Sequence, residues 1–124
     1  MAIIPYVLTN LTAGMGTITW TDITDGDTGQ PMRLSNMADK TVQAINISDG
    51  LVAMEGSNDP RAVSEDPAIA ATAEWVTLST NLGEPATFDG AGGLLLLAEA
   101  PLYIRPAGSG GLTVATIILL ANAS

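Results

Sequence analysis

The chain has no histidine and no cysteine among its 124 residues. Without cysteine there is no disulfide, no thiolate metal site and no thiol nucleophile. Without histidine the commonest general base and the commonest metal ligand are missing. A Ser-His-Asp triad is therefore excluded. Positive charge is also scarce: Arg33, Lys40, Arg61 and Arg105 stand against thirteen carboxylates, for a net charge of −9. No two of the four are sequence neighbours, so the clustered Lys and Arg that grip a phosphate backbone are lacking. Neither a nucleic-acid partner nor an anionic membrane surface is expected. Long apolar runs are missing too. Thr116 to Ala121 is far short of the roughly 20 residues that cross a bilayer as a helix. The start, Met1-Ala2-Ile3-Ile4-Pro5, has no basic segment of the kind that opens a signal peptide. The expectation is a soluble protein made in the cytoplasm.

What is present is aliphatic and punctuated. Apolar residues make up 47% and charged residues only 14%, too apolar for a disordered chain and enough for one domain over 1–124 with a real core. Thirteen Gly and seven Pro are spread along the chain, which favours short strands over long helices. In Gly16 to Thr21, Ile18 and Trp20 share one face and Thr17, Thr19 and Thr21 the other, the alternation of a half-buried strand. Asp22 to Gln30 reads as a loop. In Thr41 to Ile47, Val42 and Ala44 lie on one face and Ile45 and Ile47 on the other, a phase change that predicts a bulge or a crossing between sheets. Asp49-Gly50 predicts a hairpin with Leu51 to Glu55 as its return. Residues 57–74 form a long loop insertion in which Asp66 caps a helical turn near Ala68. Further strands are expected around Trp75, Phe88, Leu94–Ala98, Leu102–Arg105 and Leu112–Ala121. The whole predicts an all-β protein, a β-sandwich of jelly-roll-like type with about eight to ten short strands. Residues 1–15 supply an N-terminal arm or an edge strand.

The candidate chemistry is thin. Thirteen carboxylates could supply a glycosidase pair, but none stands in a recognisable catalytic constellation, and no enzyme activity or cofactor is expected. Asp22, Asp25 and Asp27 form the one oxygen-rich cluster with Ca²⁺ potential. An EF-hand is ruled out, because the twelfth position counted from Asp25 is Asn36. Arg105 is either an interface contact beside an aromatic ring or half of an ion pair with Glu55 or Glu99. Trp75 is either a core residue or a stacking platform, and parity does not decide which. Two strands are apolar on both faces, Leu94–Leu97 and Ile117–Leu120. The outer face of a small sandwich is ordinarily polar, so this predicts a partner subunit, with cover from the N-terminal segment or the 57–72 loop as the alternative. Leu95, Leu97, Ile117 and Leu119, with Ile3, Ile4 and Tyr6 of the N-terminal segment, are the candidate oligomer or capsid interface.

Several stretches in order have a familiar pattern: Asp39-Lys40-Thr41-Val42-Gln43, Met54-Glu55-Gly56-Ser57-Asn58-Asp59, Trp75-Val76-Thr77-Leu78, and Glu99-Ala100-Pro101-Leu102-Tyr103-Ile104-Arg105-Pro106 before Leu112-Thr113-Val114. The series, covering roughly residues 39 to 121, resembles small tailed-phage virion proteins of the capsid decoration (cement) or head-ornament type. The resemblance implies a β-sandwich subunit on the capsid surface, a homo-oligomer, trimeric in form, whose partner is the major capsid protein. Tail and neck components are the alternative virion roles. The chain departs from the pattern by the fifteen residues between Asp59 and Trp75. The same Ser57-Asn58-Asp59 and Trp75 arrangement is similar to galactose-binding-like jelly rolls, which keeps a glycan-binding module as a second reading.

Overall fold

The structure, a computed structural model, describes residues 2–10, 15–33, 37–90, 92–99 and 101–123. Twelve strands are present among them: β1 (Ile3–Ile4), β2 (Tyr6–Asn10), β3 (Met15–Ile23), β4 (Thr28–Gly29), β5 (Met32–Arg33), β6 (Met37–Ser48), β7 (Leu51–Ser57), β8 (Val76–Thr77), β9 (Thr87–Phe88), β10 (Gly93–Leu96), β11 (Tyr103–Ser109) and β12 (Val114–Ala123). A 3₁₀ turn (Pro60–Val63) and one turn of helix α1 (Pro67–Ala70) fall between β7 and β8. The strand number exceeds the expected eight to ten because several strands are two-residue pieces. One of these, β4, lies inside the Asp22–Gln30 stretch expected to be wholly loop.

The strands form two sheets. The five-stranded sheet runs β10-β6-β12-β3-β2; the seven-stranded one runs β1-β4-β11-β7-β8, with β5 on β11 and β9 on β7. Antiparallel pairings are nested: β3 with β12, β4 and β5 with β11, β6 with β10, β7 with β8 and β9. A ribbon whose first strand pairs with its last, and which changes sheet at each step inward, is a jelly roll. The N-terminal segment belongs to both sheets. β1 runs parallel to β4, and after Pro5 β2 runs antiparallel to β3 at the edge of the other sheet.

Two bulges set which residues face the core. On β3, Trp20 pairs with Ile117 and Ile23 with Ala115, so an extra residue is accommodated where Asp22 takes φ 57°. On β6, Ile45 pairs with Thr116 and Ser48 with Val114, with Asn46 at φ 53°. Asp and Asn tolerate this left-handed conformation better than other non-glycine residues. Each bulge turns the next apolar residue inward, so Ile23 is fully buried with Ile18 and Trp20, and Ile47 packs against the core. The expected phase change in Thr41–Ile47 is thus a bulge.

Asp49-Gly50 departs from expectation. Both residues have positive φ, 53° and 94°, so the tight turn is present. The strands it joins do not pair: β6 lies in one sheet and β7 in the other. Local turn chemistry specifies a reversal but not the strand that receives it. The core between the sheets is built from Ile18, Trp20, Val42, Val52, Met54, Ile104, Ile117 and Leu119, each wholly buried. Gly29 is required there, since a Cβ would collide with Pro106 and the Trp20 indole. The indole Nε1 donates to the Gln30 carbonyl at 3.1 Å.

Candidate functional site

The residues expected at a contact surface divide by parity. Ile117 and Leu119 are fully buried and Leu97 nearly so, all within the core. Leu95, Ile4 and Tyr6 are partly buried against the same core. Tyr6 meets Trp20 edge-on, with ring centroids 6.1 Å apart and planes at 74°. Of the expected set, only Ile3 is largely exposed, at 62%. Ile117, Leu119 and Leu97 therefore face inward and are not available to a partner. Composition marks β10 and β12 as apolar on both sides, but the inward side is chosen only by the opposing sheet.

The outward side is the candidate site. One row runs across the five-stranded sheet through Leu94, Gln43, Ile118, Thr19 and Val7. The next runs through Leu96, Thr41, Leu120, Thr17 and Thr9. Ile45 and Thr116 begin a third. None carries a charge. All are exposed or half-buried, with Leu94 at 67% and Val7 at 64%. On a chain of net charge −9, this is an uncharged apolar and threonine surface five strands wide. Among the described residues neither the N-terminal segment nor the 57–74 insertion supplies its cover: β2 extends the sheet edgewise, and the insertion borders the other sheet.

The opposite outer face is built differently. Arg105 pairs with Glu55 across β11 and β7 at 2.9 Å and stacks under the Trp75 ring, 4.0 Å from its centroid. The ion-pair reading of Arg105 therefore holds with Glu55, and Trp75 lies half-buried on the outer side of the sheet. Beside it, Ala62, Pro67, Ala70, Ala71 and Ala73 of the insertion face Ala2, Ile3, Thr28, Gly29 and Pro31 across a cleft of about 360 Å³.

The insertion is fastened at its base by the Ser57-Asn58-Asp59 run. Ser57 Oγ donates to the Glu74 carbonyl at 2.6 Å and accepts from the Asp59 N–H at 3.0 Å. Asp59 caps the 3₁₀ turn through the Arg61 N–H, pairs with the Arg61 guanidinium at 2.7 Å and accepts from the Glu74 N–H at 3.2 Å. Asn58 Oδ1 accepts from the Leu102 N–H at 2.7 Å. The Arg61 guanidinium holds the Asp59 carboxyl well below the usual carboxylate range. Asp66 caps α1 as expected, through the Ala68 N–H at 2.9 Å. An open groove of about 670 Å³ is lined by these same groups. Its polar atoms are largely consumed in holding the insertion.

The candidate Asp22, Asp25 and Asp27 cluster does not converge on one point. Asp22 sits on the β3 bulge, and Asp25 accepts from the Gly111 N–H at 3.2 Å. Asp27 is buried and accepts from the Ala2 N–H at 2.9 Å and from the Thr24 hydroxyl at 2.6 Å and N–H at 3.0 Å. Those Thr24 bonds hold its carboxyl below the usual range. Its lone pairs bind the turn and the N-terminal strand. Among the described residues no group of three carboxylates is placed to hold a metal ion.

The familiar motifs also fall into scaffold roles. Met54 is core, Glu55 meets Arg105, and Gly56 is packed under Leu78 and Pro101. Glu99 accepts from the Ser79 N–H at 2.7 Å, which lowers its pKa, with a further contribution from the buried Lys40. Tyr103, Ile104 and Pro106 are buried.

No family model and no curated protein matches the chain. Among solved structures, a cupin domain from Bordetella pertussis aligns at 9% identity with a TM-score of 0.43, over 100% of this chain and 98% of that one. A likeness that remote bears on neither activity nor partner.

Proposed function

We propose that the chain is a non-enzymatic structural subunit of a phage particle, a capsid decoration protein that binds the outer surface of the head as a symmetric oligomer and stabilises it. The observation that carries this reading is the uncharged outer face of the five-stranded sheet, running through Leu94, Ile118 and Val7. Contiguous exposed apolar surface of this kind marks an interaction site on a soluble protein. An open sheet face suits another protein surface rather than a small ligand, which prefers a concave site. Jelly rolls serve capsids, lectins and cupins alike, so the face, not the fold, supports assembly.

The remaining chemistry agrees with a non-catalytic role. Asp27, Asp59 and Glu99 are all held below the ordinary carboxylate range, so none of these three retains a proton at neutral pH to act as a general acid. The three stated cation contacts are structural: Arg61 is paired with Asp59, Arg105 with Glu55, and Lys40 is buried. A glycan-binding module would need an open aromatic face, and Arg105 occupies one face of Trp75. On a shell, modest contacts repeated by symmetry multiply into tight attachment.

The test is titration of the purified protein onto heads that lack it, counting bound copies and measuring the temperature at which the shell ruptures. Saturable occupancy at symmetric positions, with a higher rupture temperature, is the expected result. Binding that never saturates, or none, overturns the proposal.

A further inference from the structure

We propose that the outer face of the five-stranded sheet is closed by a second copy of this chain, the two sheets packing face to face about a two-fold axis. The inference rests on the assembly reading above and names the occupant of that face.

Charge selects the occupant. A surface laid over Leu94, Ile118 and Leu120 must bring no unpaired charge with it, because a charge buried without a partner costs more than the apolar contact returns. A chain of net charge −9 has few surfaces that meet this condition. The sheet face meets it against itself: a two-fold contact sets the same uncharged rows against each other, isologously. A three-fold ring would need a second, different apolar surface to receive this one. The exposed Val63 and Ile69 of the insertion are the nearest alternative, but Glu65 and Asp66 lie between them.

Size agrees. Five strands about 4.8 Å apart span about 24 Å, and the outward rows extend about 17 Å along the strands, a projected area of about 400 Å² per copy. Two such faces total about 800 Å² in projection, at the low end of interface sizes, which fits a weak, concentration-dependent dimer. Sheets stack about 10 Å apart, a spacing that Leu, Ile and Thr side chains fill. The hydroxyls of Thr17, Thr19 and Thr41 and the carboxamide of Gln43 can exchange hydrogen bonds across the axis or with trapped water.

The test uses sedimentation of the full chain from about 1 to 300 μM, with shell binding measured in parallel. A concentration-dependent dimer is expected. Thr19→Glu and Leu94→Glu each place two like charges in one two-fold contact and should weaken dimerisation at least about 100-fold. Leu82→Glu, at a 79% exposed position off the face, should leave it unchanged. Because the chain has no cysteine, Thr19→Cys with a short bis-maleimide reports whether the same face of two copies is juxtaposed: rapid covalent pairing at dilute protein is expected for Thr19→Cys and not for Leu82→Cys. A wild type that stays monomeric throughout, or a trimer indifferent to Thr19→Glu, overturns the inference. If the protein alone is monomeric and Thr19→Glu abolishes shell binding, the face belongs to the shell. That result overturns the second-copy assignment and leaves the assembly reading standing. Neither self-association nor shell binding would remove both.

Discussion

The two sheets of the jelly roll turn opposite kinds of surface outward. On the seven-stranded sheet, Arg105 and Glu55 form an ion pair at 2.9 Å, Trp75 lies over the guanidinium, and the alanine-rich insertion stands beside them. On the five-stranded sheet, rows of Leu, Ile, Val, Thr and Gln face outward with no charge. The difference shows where the chain supplies its own cover. A guanidinium that is half-buried needs a carboxylate and an aromatic face to remain charged, and the insertion's return through Glu74 brings Trp75 to that place. The named rows of the other face carry no charge to repel a like surface, and their threonine and glutamine groups can hydrogen-bond across a contact. The polarity of that face suits burial against another surface.

The comparison can be broken most severely on the central strand. Ile117 and Ile118 are adjacent on β12 and point to opposite sides. Ile117→Ala should cost about 2–5 kcal/mol, because it leaves a cavity between the sheets. Ile118→Ser should cost under about 1 kcal/mol in the monomer. Urea unfolding at low protein concentration checks both, and equal losses would mean that the outer face is covered within one chain.

A smaller effect belongs to the turn that anchors the edge of the covered sheet. Asp27→Ala removes the acceptor for the Ala2 and Thr24 donors and should cost about 1–3 kcal/mol. The folded-state pKa of Asp27 lies below its ordinary value of 3.8. Its contribution is therefore complete above that value and is lost as pH falls through the lower folded one. The gap between wild type and variant should be constant from about pH 5 to 8 and should shrink below about pH 4. A gap that instead widens on acidification would refute the assigned role.

Trp75→Ala sharpens the contrast on the covered face. Removing the ring from Arg105 should cost about 1–2 kcal/mol and leave shell binding and oligomer state intact. Loss of binding at unchanged stability would move the functional surface to this side and favour a glycan or ligand role. The mildest change is Asp59→Ala. It releases the base of the insertion without touching the core, so the global unfolding midpoint should stay put while proteolysis within 60–74 speeds up about 10-fold.

Much of the fold is legible along the chain. The alternation of Ile18 and Trp20 against Thr17 and Thr19 places the core side of β3, and the phase change in Thr41–Ile47 marks the β6 bulge. Asp66 at the start of α1 caps as its type demands. Local chemistry decides these features, so sequence reveals them. Asp49-Gly50 shows the limit: positive φ is a property of two residues, whereas the pairing of β6 and β7 depends on partners far along the chain. Asp22, Asp25 and Asp27 show it again. Close in sequence, they are separated by a bulge and a turn whose backbone donors occupy Asp25 and Asp27.

Residue types and their alternation already establish an all-β protein without histidine or thiol chemistry, in which β10 and β12 carry more apolar side chains than one buried face can use. Composition and periodicity carry that information because each strand exposes its residues alternately to two sides. Which side is which depends on how the two sheets pack. Leu97, Ile117 and Leu119 went to the core and left Leu94, Leu96, Ile118 and Leu120 outside, because the opposing sheet can cover only one face of a strand. The tertiary structure also put the insertion and Trp75 on the other sheet, through the hydrogen bonds of Ser57 and Asp59 to Glu74. Those are contacts across fifteen or more residues, and no local pattern specifies them.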